Sequence, residues 1–166
     1  SLDGVVEAPE KWTGLYFNDQ VGQAVGELMA DNDALLLGRV TYEGFAAAFG
    51  GQSGGMADQM NSTPKYVVSG SLSSADWQNS TLISDDVPEA IAALKQQPGR
   101  TIGMSGSSTL VSWLLRRGLL DQLDLLVFPV LIGTGQRLFG DQVPLTLTGS
   151  RSFSTGVVHL SYGPAA

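Results

Sequence analysis

Cysteine is absent from the 166 residues, and histidine occurs once, as His159. Such a chain cannot build a disulfide framework, a thiol nucleophile or a thiolate metal site, and a zinc site would lack its usual nitrogen and sulfur ligands. Basic residues are scarce too, with nine lysines and arginines against sixteen acidic residues and a net charge of −7. Beyond Arg116-Arg117 they do not cluster. That argues against a nucleic-acid or anionic-membrane partner, because phosphate surfaces are gripped by grouped cations. No apolar run reaches membrane-spanning length, and the start, SLDGVVEAP, has no basic stretch leading into an apolar one as a secretory signal would. The expectation is a cytoplasmic protein whose partner is a small molecule. The chain does not open on Met, so its first residue need not be the natural start.

What is present suits one domain over 1–166, since 43% of residues are hydrophobic and 15% charged. The informative stretch is Thr101 to Gly118, TIGMSGSSTLVSWLLRRG. It reads as a short strand, a small-residue turn and an amphipathic helix in which Leu110, Val111, Leu114 and Leu115 share a face, with Ser107 or Ser108 as cap. First-turn N–H groups lack intrahelical partners and the helix dipole is positive there, so an anion docks well if nothing bulky intervenes. Gly106 and its serine neighbours leave the approach open. Plain packing of a connecting turn is the alternative.

In order along the chain, SLDGVVEAPEKW reads as a strand end and an irregular loop. Trp12, Tyr16 and Phe17 beside it can line a pocket or anchor a core. Asn18 or Asp19 caps a helix to about Ala30, with Val21, Ala24, Val25, Leu28 and Met29 on one face. Ala34 to Gly38, ALLLG, is a continuous apolar run of strand length, as in a strand buried on both faces. Arg39-Val40-Thr41 follows, and Thr41 can cap the helix YEGFAAAF, making a second strand-to-helix junction with an arginine beside the helix start. MADQMNS reads as a short helix, KYVVS and TLIS as strands, and Asp85 or Asp86 as the start of VPEAIAALKQQ, with Pro88 in its first turn. Gln122 to Ile132 is the most apolar strand, interrupted by Pro129. The tail, LTLTGSRSFS and GVVHLSY, alternates with period two as an antiparallel pair.

Strands alternating with helices and ending in a hairpin give an α/β three-layer sandwich. Its sheet is mixed and mostly parallel, with helices on both faces and an antiparallel C-terminal hairpin. Ligands of such sheets sit beyond the carboxyl ends of the strands. Three small, polar junctions fall there: Gly38 to Tyr42, Ser69-Gly70-Ser71, and Ser105 to Thr109. Their convergence favours a phosphate-bearing ligand of nucleotide size.

The ordered set SLDG, LLLGRVTYE, KYVVSGSL with ADW, SGSSTL and GLLDQLDLLVFPVLIGTGQRLF covers almost the whole chain. It resembles the dihydrofolate reductase-like superfamily, in particular stand-alone proteins similar to the C-terminal reductase domain of the bifunctional riboflavin enzymes. The resemblance implies a mixed sheet of about eight strands, a homodimer in the cytoplasm, and an NADPH-dependent reductase acting on a pterin-like, aminopyrimidine-like or carbonyl substrate. NADPH would lie along Gly38, Arg39, Thr41, Ser69, Gly70, Ser71, Ser105, Gly106, Ser107, Ser108 and Thr109. Within that set, Arg39 and Thr41 take the adenosine-side phosphates, Ser69 and Ser71 the 2′-phosphate or adenine, and the 106–109 turn the pyrophosphate. The riboflavin reductases resembled here carry glutamate at the position of Ser105 and a second glycine at Ser107. Asp3 in SLDG is the best candidate for touching substrate, against a plain turn-forming role; Trp12 and Tyr16 are further candidates, and Asp19 or Glu27 could be offered as a helical carboxylate. The resembled proteins also carry an apolar strand before SLDG that this sequence lacks. The apolar strand Leu123 to Ile132 offers a face for a second copy.

Two other classes compete. A nucleotide-binding module without turnover would show the same spacings. Gly103-Met104-Ser105-Gly106-Ser107 approaches the G-x-S-x-G nucleophile elbow, with Asp121, Asp124 or Asp141 and then His159 in hydrolase order, but the last glycine is missing. GTGQRLFG only mimics a dinucleotide fingerprint, because its third glycine is misplaced and no long helix follows.

Overall fold

A computed structural model describes residues 1–140 and 142–165; Asp141, one of the aspartates in hydrolase order, lies outside them. In chain order the elements are α1 (Asp19–Ala30), β1 (Asn32–Gly38), α2 (Arg39–Phe49), α3 (Met56–Ser62), β2 (Lys65–Val68), β3 (Ser80–Ile83), α4 (Val87–Lys95), β4 (Thr101–Gly103), α5 (Ser108–Arg116), β5 (Leu123–Val127), β6 (Leu145–Ser152) and β7 (Val158–Pro164). Among the described residues no helix is long and apolar enough to cross a membrane. Backbone contacts divide the chain into two compact units, Met29–Leu110 and a second formed by Ser1–Leu28 together with Val111 onward.

The Met29–Leu110 unit holds a four-stranded, all-parallel sheet in the order β3-β2-β1-β4. Ala34 to Leu37 in β1 are all buried, as a central strand covered on both faces requires. Leu35 and Leu37 pack with Tyr42, Met60, Val67 and Trp77, while Phe45, Ala46 and Phe49 of α2 lean on that cluster. β4 pairs with β1 at close quarters, since a Cβ on Gly103 would collide with the Asn32 side chain.

Asn61 is buried and satisfied on both ends of its amide. Its Nδ2 donates to the carbonyls of Phe49 (3.1 Å) and Gln52 (2.9 Å), and its Oδ1 accepts from Trp77 Nε1 at 2.6 Å. Lys65 is completely buried. Its ammonium donates to the carbonyls of Met60 (2.7 Å), Thr63 (2.7 Å) and Asn61 (3.4 Å), and lies 4.2 Å from the centre of the Trp77 ring. It thereby caps the last turn of α3 together with Asn79, whose Nδ2 donates to the Asn61 carbonyl at 2.9 Å. Burial pushes the lysine pKa down.

The other unit carries the antiparallel sheet β5-β7-β6. α1 starts as its sequence suggests, with Asn18 Oδ1 accepting from the Val21 N–H at 3.1 Å. β5 is shorter than the apolar run from which it comes, ending at Val127 rather than Ile132; Pro129 has no N–H for the ladder. Trp12 and Tyr16 stand edge-on to Phe128, with ring centres 5.8 and 6.4 Å away, and join Val21, Ala24, Phe153 and Val157. They take the core-anchor alternative.

Across β5 and β7, Asp124 gathers three donors: Ser161 Oγ at 2.6 Å, His159 Nε2 at 2.9 Å and Gln122 Nε2 at 2.8 Å. Burial pushes its carboxyl up, but those hydrogen bonds together prevail and hold it below its ordinary pKa. Asp3 too is held well below its ordinary pKa, first by the Ser1 hydroxyl and then by the Gly133 N–H. Both folded-state values lie below the unfolded one of about 3.9, so both aspartates stabilise the fold above that pH, and the contribution is lost as pH falls through the folded values. Urea midpoints measured downward from neutrality should therefore drop below about pH 4. An Asp124→Asn variant should show a shallower drop; a slope equal to that of the parent chain would remove Asp124 from the account.

Candidate functional site

Because the four strands are parallel, the turns that follow β2, β1 and β4 emerge side by side at one edge of the sheet. The connection from β1 leads to β2 on one side and the later one from α4 leads to β4 on the other, so the order reverses between β1 and β4. That is the switch point at which α/β sheets open a crevice for ligands. The three junctions singled out in the sequence follow these three strands, with Tyr42 turned into the core beneath them.

At the first junction α2 begins at Arg39, earlier than a Thr41 cap would have it, with Gly38 as N-cap and no side-chain capping bond. Arg39 is exposed, and its Nη1 lies 3.0 Å from Glu43 Oε2 one turn further on. The two side chains stand one helical turn apart, at the i,i+4 spacing that the sequence itself displays. At the third junction Gly106 (φ +77°) and Ser107 (φ +59°) both take left-handed backbone. Ser107 Oγ accepts the Gly38 N–H at 2.9 Å and donates to Thr41 Oγ1 at 2.8 Å, tying the turn after β4 to the turn after β1. Ser105, Gly106 and Thr109 are exposed. A Cβ on Gly106 would come 3.7 Å from Thr41 Oγ1.

The middle junction divides its labour. Ser69 is buried, and its Oγ accepts from the N–H groups of Ser71 (3.2 Å) and Leu72 (3.1 Å), which folds the turn; Gly70 and Ser71 are exposed. Ser69 thus shapes the surface that Ser71 presents.

The remaining candidates lie in the other unit. Asp3 accepts from Ser1 Oγ (2.6 Å), Gly133 N (2.6 Å) and Ile132 N (3.2 Å), tying the N-terminus to the loop after β5. Gly133 and Gly135 in GTGQRLFG adopt positive φ as turn glycines. Glu27 pairs with Arg151 at 3.3 Å, and Asp19 sits in the exposed first turn of α1. His159 Nε2 lies 2.9 Å from Asp124 Oδ1, and Ser161 Oγ donates to the same carboxylate at 2.6 Å and stands 3.3 Å from His159 Nε2. Among the described residues no group of three His, Cys, Asp or Glu could hold a metal ion.

A parallel sheet with a switch point between β1 and β4, joined in sequence to an antiparallel C-terminal sheet, is an α/β fold of the dihydrofolate reductase-like kind. The chain belongs to the RibD C-terminal domain family, whose model matches residues 1–159. The uncharacterized protein YyaP of Bacillus subtilis (strain 168) is 34% identical over 106 residues, 62% of this chain and 56% of that protein, so the match spans little more than half of that relative. YwjB of the same organism is 26% identical over 163 residues, 95% of this chain and 90% of that protein. Among solved structures, a protein named for riboflavin biosynthesis from Shewanella sp. PV-4 superposes with a TM-score of 0.79 at 20% identity, covering 99% of this chain and 94% of that one. A pyrimidine reductase-like protein from Corynebacterium diphtheriae gives 0.69 at 14% identity, covering 100% and 89%.

Proposed function

We propose that the protein is an NADPH-dependent reductase that delivers hydride to a small nitrogen heterocycle of the pyrimidine or pterin class. The observation that carries this reading is the edge formed by the ends of β1, β2 and β4, where exposed donors flank a glycine turn at the switch point. Membership of the RibD C-terminal domain family and the pyrimidine reductase-like neighbour support it.

The donors fit such a cofactor. The Arg39 guanidinium is a planar fork suited to a phosphate, and its ion pair with Glu43 is exposed and worth little. Ser71 and the Gly70 backbone offer neutral partners beside it. The Gly106 turn allows backbone N–H groups at the start of α5 to approach a pyrophosphate, where a side chain would interfere. When bound, the dinucleotide supplies the hydride. What the chain supplies is orientation and, at Arg39, discrimination for the 2′-phosphate. Ser105, standing where the resembled riboflavin reductases carry glutamate, makes the heterocycle the part of this proposal that a substrate panel must fix.

Titration calorimetry with NADPH and NADH, followed by assays of nicotinamide oxidation against aminopyrimidines, pterins and carbonyl compounds, tests the proposal. Binding of NADPH with turnover of a heterocycle is expected; binding with no turnover across the panel would favour a binding module. Arg39→Ala should weaken NADPH about tenfold, or about 1.4 kcal/mol, while NADH changes little. Equal losses for both dinucleotides would remove Arg39 from the 2′-phosphate.

A further inference from the structure

Ser107 occupies backbone space that L-residues seldom enter, at φ +59°. Its position there is tied to two hydrogen bonds, from the Gly38 N–H (2.9 Å) and to Thr41 Oγ1 (2.8 Å). The bonds have a direction. Gly38 is at the carboxyl end of β1 and, as N-cap of α2, has an amide that no helical carbonyl claims. That amide donates to Ser107, and Ser107 donates to Thr41. Thr41 Oγ1 therefore receives a proton and keeps its own to give away, in the partly exposed first turn of α2. A chain of this kind polarises each successive hydroxyl and makes the last one a better donor. The contact is also tight, since a Cβ on Gly38 would come 3.2 Å from Ser107 Oγ.

The geometry points to Ser107 as a positioning residue: it does not grip the cofactor itself but orients the Thr41 hydroxyl as a committed donor to the dinucleotide phosphates and locks the turns after β1 and β4 into one cradle. This rests on the cofactor proposal above. The pyrophosphate is common to both dinucleotides, so the Ser107 effect must be the same for NADPH and NADH, unlike that of Arg39.

The test is a double-mutant cycle read by titration calorimetry with both dinucleotides. Ser107→Gly relaxes the backbone while deleting the hydroxyl, so loss of fold does not confuse the result. Ser107→Gly and Thr41→Val should each weaken binding roughly tenfold, and the double variant should also lose roughly tenfold, not a hundredfold, because both changes break one chain. Thr41→Ser, which keeps the hydroxyl, should recover most of the affinity that Thr41→Val loses. Losses that multiply in the double variant, or a Ser107→Gly protein that binds as tightly as the parent or tighter, would overturn the positioning role and leave the cofactor proposal standing. A parent protein that binds neither dinucleotide would overturn both.

Discussion

Lys65→Ala is expected to lower the free energy of unfolding by about 3 kcal/mol, seen as a lower urea midpoint with an unchanged slope. The ammonium is wholly buried and answers the carbonyls of Met60, Thr63 and Asn61. Truncation leaves a void beside Trp77 and strips the ammonium from the Met60 and Thr63 carbonyls at the end of a seven-residue helix too short to persist on its own, the Asn61 carbonyl keeping its bond from Asn79. Opposing this, the folded state no longer has to hold a desolvated charge, a cost visible in the depressed lysine pKa. The two effects separate in Lys65→Met, which fills most of the stem volume but satisfies no carbonyl, and about 2 kcal/mol is expected there. A Lys65→Met protein as stable as the parent would show that the carbonyls gain nothing from the ammonium.

That lysine marks where reading the sequence stops. KYVVS presents it as an ordinary first residue of a strand, and its burial depends on where α3 ends, which is a tertiary fact. The elements themselves were legible wherever the signal was local. Four apolar residues in succession announced a strand buried on both faces, Asn18 announced the start of α1, and the alternation in the tail announced the β6–β7 pair. The three junctions could be placed at strand ends because glycine and serine punctuate them. Their internal wiring could not, since the Ser107 hydroxyl reaches back 66 residues to Thr41 and none of that is encoded in neighbouring positions. For the same reason the sequence suggests a cap at Thr41, which instead lies inside α2 and accepts from the turn after β4. Asp3 shows the converse case: a motif residue suggestive of chemistry whose carboxylate is occupied by the N–H groups of Ile132 and Gly133, more than a hundred positions away.

Gly106→Val should abolish measurable dinucleotide affinity, weakening NADPH at least about a hundredfold, or about 2.7 kcal/mol. Two causes contribute and they can be told apart. The residue sits at φ +77°, which a β-branched side chain tolerates poorly, and the strain costs about 1–2 kcal/mol of stability. The second cause is bulk: the position is exposed at the switch-point edge, and the new side chain would stand beside Thr41 Oγ1, where the proposed phosphates approach. Asparagine accepts left-handed backbone far better than valine does. Gly106→Asn should therefore recover most of the lost stability while binding NADPH almost as poorly as Gly106→Val. If it recovered binding together with stability, the glycine would be required by the turn alone, and the pyrophosphate would have to be sought elsewhere along the edge.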